Sequence, residues 1–135
     1  MQHDYFNPPE LFSTQGLGFT HVVKSGPGKT IHVSGQTAWN ADRKLVGGND
    51  LALQAKQAFE NLRIALAAGG AGPRDVVFVR IYIVGYKPEC AAVVGPLLES
   101  FFDGGQPPAS TWVGVSALAV PDFLIEVEAT AVVDA

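Results

Sequence analysis

Charge is scarce in this chain. Nine Lys and Arg and thirteen Asp and Glu make up 16% of 135 residues, against roughly 25% in ordinary soluble domains. Mean hydropathy is positive, +0.19. Disorder is excluded, because it requires low hydrophobicity and high charge. A lone small globule is a poor fit too, since excess apolar surface marks an interaction face. Cysteine is nearly absent: Cys90 alone excludes an intrachain disulfide and a cysteine-built zinc site, and suits a reducing compartment, so a cytoplasmic protein is expected. His3, His21 and His32 lack the i, i+4 spacing of a helical metal site, so no metal is expected. Basic runs stop at the pair Arg43–Lys44 and the net charge is −4, which argues against nucleic-acid binding. Long apolar runs are missing as well. The richest, Val76 to Val84, is short and carries Arg80, so no membrane span is expected. Met1 to Leu11 has no basic segment followed by an apolar one, so no secretory signal is expected.

What is present has a clear order. The length suits one domain, residues 1–135, with an irregular arm over 1–18 that holds two prolines and two glycines. Phe19–Lys24 and Lys29–Gln36 read as strands around the turn Ser25-Gly26-Pro27-Gly28. Asn49–Ala68 is the strongest helix: Leu51, Ala55, Ala58, Phe59, Leu62 and Leu66 share one face. Asn49 or Asp50 caps it and Gly69-Gly70 stops it. The glycine run ending at Pro73 thus follows a helix rather than opening one, and is no phosphate cradle. Asp75–Val84 reads as a central strand. Lys87–Phe102 is a second helix, with Pro96 expected to kink it near Val94–Gly95 or to split it in two. Ser110–Leu118 and Phe123–Val133 are the closing strands. The order ββαβαββ describes an α+β fold with one mixed sheet and both helices on one face. The uncovered face then calls for a symmetric partner.

Several stretches also resemble a known family. Thr30–Trp39, TIHVSGQTAW, is similar to the second strand and following loop of the RidA/YjgF family of reactive-intermediate deaminases, also called endoribonuclease L-PSP. The segment from Leu45 to Ile83, Ser100–Phe102, PPASTWVGVSAL and IEVEATAV resemble further blocks in the same order, over about residues 16–133. The resemblance implies a chorismate-mutase-like fold and a homotrimer with clefts between subunits. It implies hydrolysis of enamines and imines such as 2-aminoacrylate, without metal or bound cofactor. It also implies a cleft walled by Phe19, lined by Ser34-Gly35-Gln36 backbone, and served by Glu126 as the group that handles water. Asn61 of the first helix matches as well. The family's carboxylate-gripping arginine falls on Ser110, between Ala109 and Thr111, and its common cysteine falls on Trp112.

That substitution shapes the expectation. A guanidinium–carboxylate pair is strong and directional, whereas Ser110 offers one neutral hydrogen bond, worth ~0.5–1.5 kcal/mol. A substrate other than 2-aminoacrylate is expected, held by Ser110 or Thr111 beside Phe19 and Trp112, with Glu126 orienting water. A small-metabolite binding protein without turnover is the alternative, and a ribonuclease or translation inhibitor a weaker one. Plain structural readings stand beside these. Glu126 and Glu128 share a strand face, and either can simply face solvent or pair with Arg80. Trp112 and Phe19 can pack at a subunit boundary, Ser34-Gly35 can merely end a strand, and Cys90 can be an inert packing residue.

Overall fold

The structure is a computed structural model, and it describes residues 2–135. Strand β1 (Asp4–Phe6) is followed by β2 (Val22–Lys24), β3 (Lys29–Gln36), α1 (Leu51–Ala68), β4 (Val76–Val84), α2 (Pro88–Phe102), β5 (Ala109–Val115) and β6 (Ile125–Val133). The main sheet has the order β3-β6-β4-β5. Its β3–β6 and β6–β4 pairs are antiparallel, and β4–β5 is parallel because α2 forms the crossover. The sheet is therefore mixed, as the sequence indicates.

Helix α1 forms where its periodicity places it. Asp50 is the cap, its Oδ1 accepting the Leu53 N–H at 3.1 Å. At the other end Gly70 takes a φ of 82°, and Gly70 and Ala71 donate to the carbonyls of Ala67 and Leu66. Ala55, Ala58, Phe59, Leu62 and Leu66 are buried on β3 and β6. Val94, Leu98, Phe101 and Phe102 of α2 join the same core, over Val79, Ile81, Ile83, Ile125 and Val127. Both helices thus lie on one face. Gln54, fully buried in α1, clamps the loops at one end of the sheet. Its Nε2 donates to the Gly48 and Asp122 carbonyls at 2.7 and 2.9 Å, and its Oε1 accepts from the Leu124 N–H.

Three expectations change. The hairpin between the first two expected strands does not form: β2 pairs antiparallel with β1, outside the main sheet. The arm is thus partly ordered, because β1 lies within it and pairs with β2. Helix α2 runs unbroken through Pro96, which lies on its exposed side, so the two-helix alternative does not occur. Strand β5 ends at Val115 rather than Leu118, where the Gly85 N–H reaches back to the Val115 carbonyl.

Candidate functional site

On the sheet face turned away from the helices, β4 and β6 set Tyr82 opposite Glu126 and Arg80 opposite Glu128. Glu128 is the partnered acid. Arg80 Nη1 lies 3.5 Å from its Oε1, the Tyr82 hydroxyl donates to the same oxygen, and the Arg80 guanidinium stacks 4.9 Å from the Phe78 ring centre. Arg80 therefore pairs with Glu128 and not with Glu126. The bond to Glu128 is the first cause holding the Tyr82 hydroxyl above its usual range.

Glu126 is seated differently. The β3–β6 register slips between Val33 and Gln36, where three steps of β3 oppose two of β6. This β-bulge falls on Ser34-Gly35, and bulges re-aim the chain at sites. The Glu126 side chain lies directly over Gly35, and a Cβ there would stand 2.8 Å from Glu126 Cγ and overlap its carboxylate. Gly35 is thus required for close approach. Partial burial, then the neighbouring charge of Glu128, pushes the Glu126 carboxyl above the usual range. Ser34 and Gly35 remain exposed beside it, and the Ser34 carbonyl accepts from Gln36 Nε2 at 3.1 Å.

The second group gathers at the β5 edge. In the parallel register Ser110 lies beside Val79 and Trp112 beside Ile81, so both turn toward the helix layer. They line a groove of about 500 Å³ together with Leu17, Phe19, Tyr86 and Glu99. Gly114 makes room for this wall: a Cβ there would stand 2.9 Å from Tyr86 Cβ, and Tyr86 meets Trp112 edge-on with ring centres 6.4 Å apart. The arm supplies the opposite wall. Thr20 pins it, donating from N–H and hydroxyl to the Pro108 and Pro107 carbonyls at 3.1 and 2.6 Å. Phe19 packs edge-on against Phe12 and His21. A further groove of about 440 Å³ continues past Phe19 and Glu99 to Asp103 and Pro107.

One chain thus unites Ser34, Gly35 and Glu126 on one side of the sheet and Phe19, Ser110 and Trp112 on the other. Thr111, opposite Arg80, turns to the first side. Asn61 lies in neither group; it donates to the Thr37 and Trp39 carbonyls, both at 2.8 Å, and fastens the loop that leaves β3. Cys90 packs against the core. Glu99 and Tyr86 were missed by sequence reasoning. Glu99 had a signal, because it stands three residues after Pro96 and four after Gly95, on one face of α2; Tyr86 had none.

The family model described as endoribonuclease L-PSP matches residues 14–133. The chain belongs to the RidA/YjgF family. Within it, the chain is 31% identical over 133 residues to a 2-iminobutanoate/2-iminopropanoate deaminase of Dermatophagoides farinae, spanning 95% of this chain and 99% of that protein. The crystal structure of YyfB from Yersinia pestis, a Rid-family protein of unknown function, superposes with a TM-score of 0.94 at 41% identity, covering 98% of this chain and all of that one. RidA from an Antarctic Psychrobacter superposes at 0.68 with 26% identity, over 84% of this chain and 87% of its own. The family model begins after β1 and takes in its partner β2.

Proposed function

We propose that this RidA/YjgF protein is an imine and enamine hydrolase working as a homotrimer, with its cleft between subunits. The observation that carries the reading is the separation of the two half-sites. Glu126 is an unneutralised carboxylate beside an exposed bulge, and the groove of Ser110 and Trp112 lies across the sheet from it. A neighbouring subunit that sets its open sheet face against the groove would join the halves, and would also cover the half-buried Phe78, Tyr82 and Val84. This is the family's arrangement, and the low charge of the chain favours it.

In this cleft the substrate imine lies between Phe19 and Trp112, and Ser110 gives it one hydrogen bond. Glu126, its proton affinity raised, orients water and takes its proton as oxygen bonds to the imine carbon. Glu126 returns that proton to the nitrogen to give the carbinolamine, whose hydroxyl proton then passes to the nitrogen as the C–N bond breaks, so that ammonia leaves a ketone or aldehyde. The Ser34-Gly35 backbone stands where charge develops. Without the arginine, 2-aminoacrylate is disfavoured as substrate. A single cysteine suits a cytoplasmic setting, and among the described residues no helix is long and apolar enough to cross a membrane.

The test couples the protein to an amino-acid dehydratase or amine oxidase and follows carbonyl release. Acceleration that Glu126→Gln abolishes supports hydrolysis. No acceleration across both imine classes refutes it and favours a metabolite-binding protein without turnover, the reading to which Ser110 lends weight. Ribonuclease activity is the weakest reading, given the net charge of −4. A solution mass near three times 14.2 kDa is expected; a monomer mass would refute the shared cleft.

A further inference from the structure

We propose that the groove selects a positively charged substrate: an imine carrying an ammonium or guanidinium group, in place of an imine carrying a carboxylate. This deepens the reading of the groove as half of an imine-hydrolysing cleft and rests on it.

The argument begins with what lines the wall. Between them the two connected grooves hold Glu99 and Asp103 and, among their described lining residues, no Lys, Arg or His. Losing the family's arginine would alone leave a neutral pocket. The presence of Glu99 goes further, because it reverses the sign. Glu99 is the one carboxylate shared by both grooves, and it leans over the arm, with Gly18 positioned so that a Cβ would stand 4.0 Å from its Cγ. No ion pair engages it among the described residues.

The aromatic walls point the same way. Trp112 and Tyr86 meet edge-on in one wall of the groove, and Phe19 lines it from the arm. Aromatic faces attract cations through the ring quadrupole, and most strongly so for Trp. A carboxylate flanked by such rings suits an ammonium or guanidinium and repels a carboxylate. If the neighbouring subunit adds Glu126, the joined cleft gains a second unneutralised carboxylate, because Arg80 and Tyr82 are spent on Glu128. The reaction is then R₂C=NH plus water giving R₂C=O plus NH₃, with the cationic group on a side arm and unchanged throughout.

Isothermal titration of the intact protein with three probes of one shape separates the possibilities: 2-phenylethylammonium, 2-phenylethanol and phenylacetate. The ammonium is expected to bind at least about tenfold more tightly than either other probe. Glu99→Gln should remove that advantage, and Glu99→Lys should turn the preference toward phenylacetate. Equal binding of all three probes, a preference for phenylacetate, or an ammonium preference untouched by Glu99→Gln overturns the proposal. Ammonium binding without any imine turnover would support charge selection and sink the hydrolase reading. Turnover of carboxylate-bearing imines with no ammonium binding would do the reverse.

Discussion

The two faces of the main sheet are drawn from the same four strands, yet they hold their side chains by different forces. Beneath the helices, Val79, Ile81, Ile83, Ile125 and Val127 are dry and apolar, and the stabilisation is the burial of their surface. On the opposite face the same strands present Arg80, Tyr82, Glu126 and Glu128, all part-exposed. Three of those four lock together and the fourth rests on a glycine. Alternation along a strand makes both faces at once. A family can therefore hold one face constant for folding while the other is free to carry chemistry.

This contrast is open to attack by mutation. The largest effect is expected under the helices: Leu62→Ala, at a fully buried site, should cost about 2–5 kcal/mol in denaturant unfolding. A loss under about 1 kcal/mol would mean that this face is not close-packed. Gln54→Ala leaves three backbone groups without their partner and should cost about 2–3 kcal/mol. Its effect on imine turnover should be small beside that of Glu126→Gln. On the open face, Gly35→Ala should cost about 1–3 kcal/mol through the clash with Glu126. Combining it with Glu126→Ala should restore most of the loss, and a purely additive double mutant would show that the seat is not specific. Tyr82→Phe should cost about 1 kcal/mol or less, since its bond to Glu128 lies at a part-exposed site.

The smallest effect is the pH dependence from Glu126. Its folded pKa lies above the unfolded value, so the native state binds the extra proton in the interval between them. Stability should therefore fall as pH rises through that interval, which begins at the ordinary glutamate range and extends upward. Glu126→Gln should flatten that slope and leave the protein slightly more stable at neutral pH. A slope unchanged by the substitution would assign it to another group.

Legibility in the sequence followed the range of the interactions. Helix α1 was readable to within two residues and strand β3 at both ends, because caps, periodicity and turn residues act locally. Gln54 left a faint trace: it falls among Leu51, Ala55 and Ala58 on the apolar stripe, where a polar side chain needs buried partners. The partner of Arg80 was out of reach, since only the β4–β6 register assigns it to Glu128. Strand β1 was invisible. It has three residues and no periodicity, and its partner lies 18 residues further along the chain. The division of the site had the same origin: Ser110 and Thr111 are adjacent in sequence, but a strand sends them to opposite sides of the sheet.

The order β3-β6-β4-β5 also has a consequence in time. Strand β6 is the last in the chain and sits between β3 and β4, with Lys29 opposite Val133. During synthesis β3 and β4 emerge without the strand that will join them. At ribosomal speeds, β3 waits roughly 5–20 s before β6 is complete. The β1–β2 ribbon and the β4-α2-β5 unit can form early, each from nearby residues, but the sheet can close only when β6 inserts. Two unpaired edges stay open until then, and a ribosomal pause before Ile125 would lengthen the interval in which nascent chains can pair with one another.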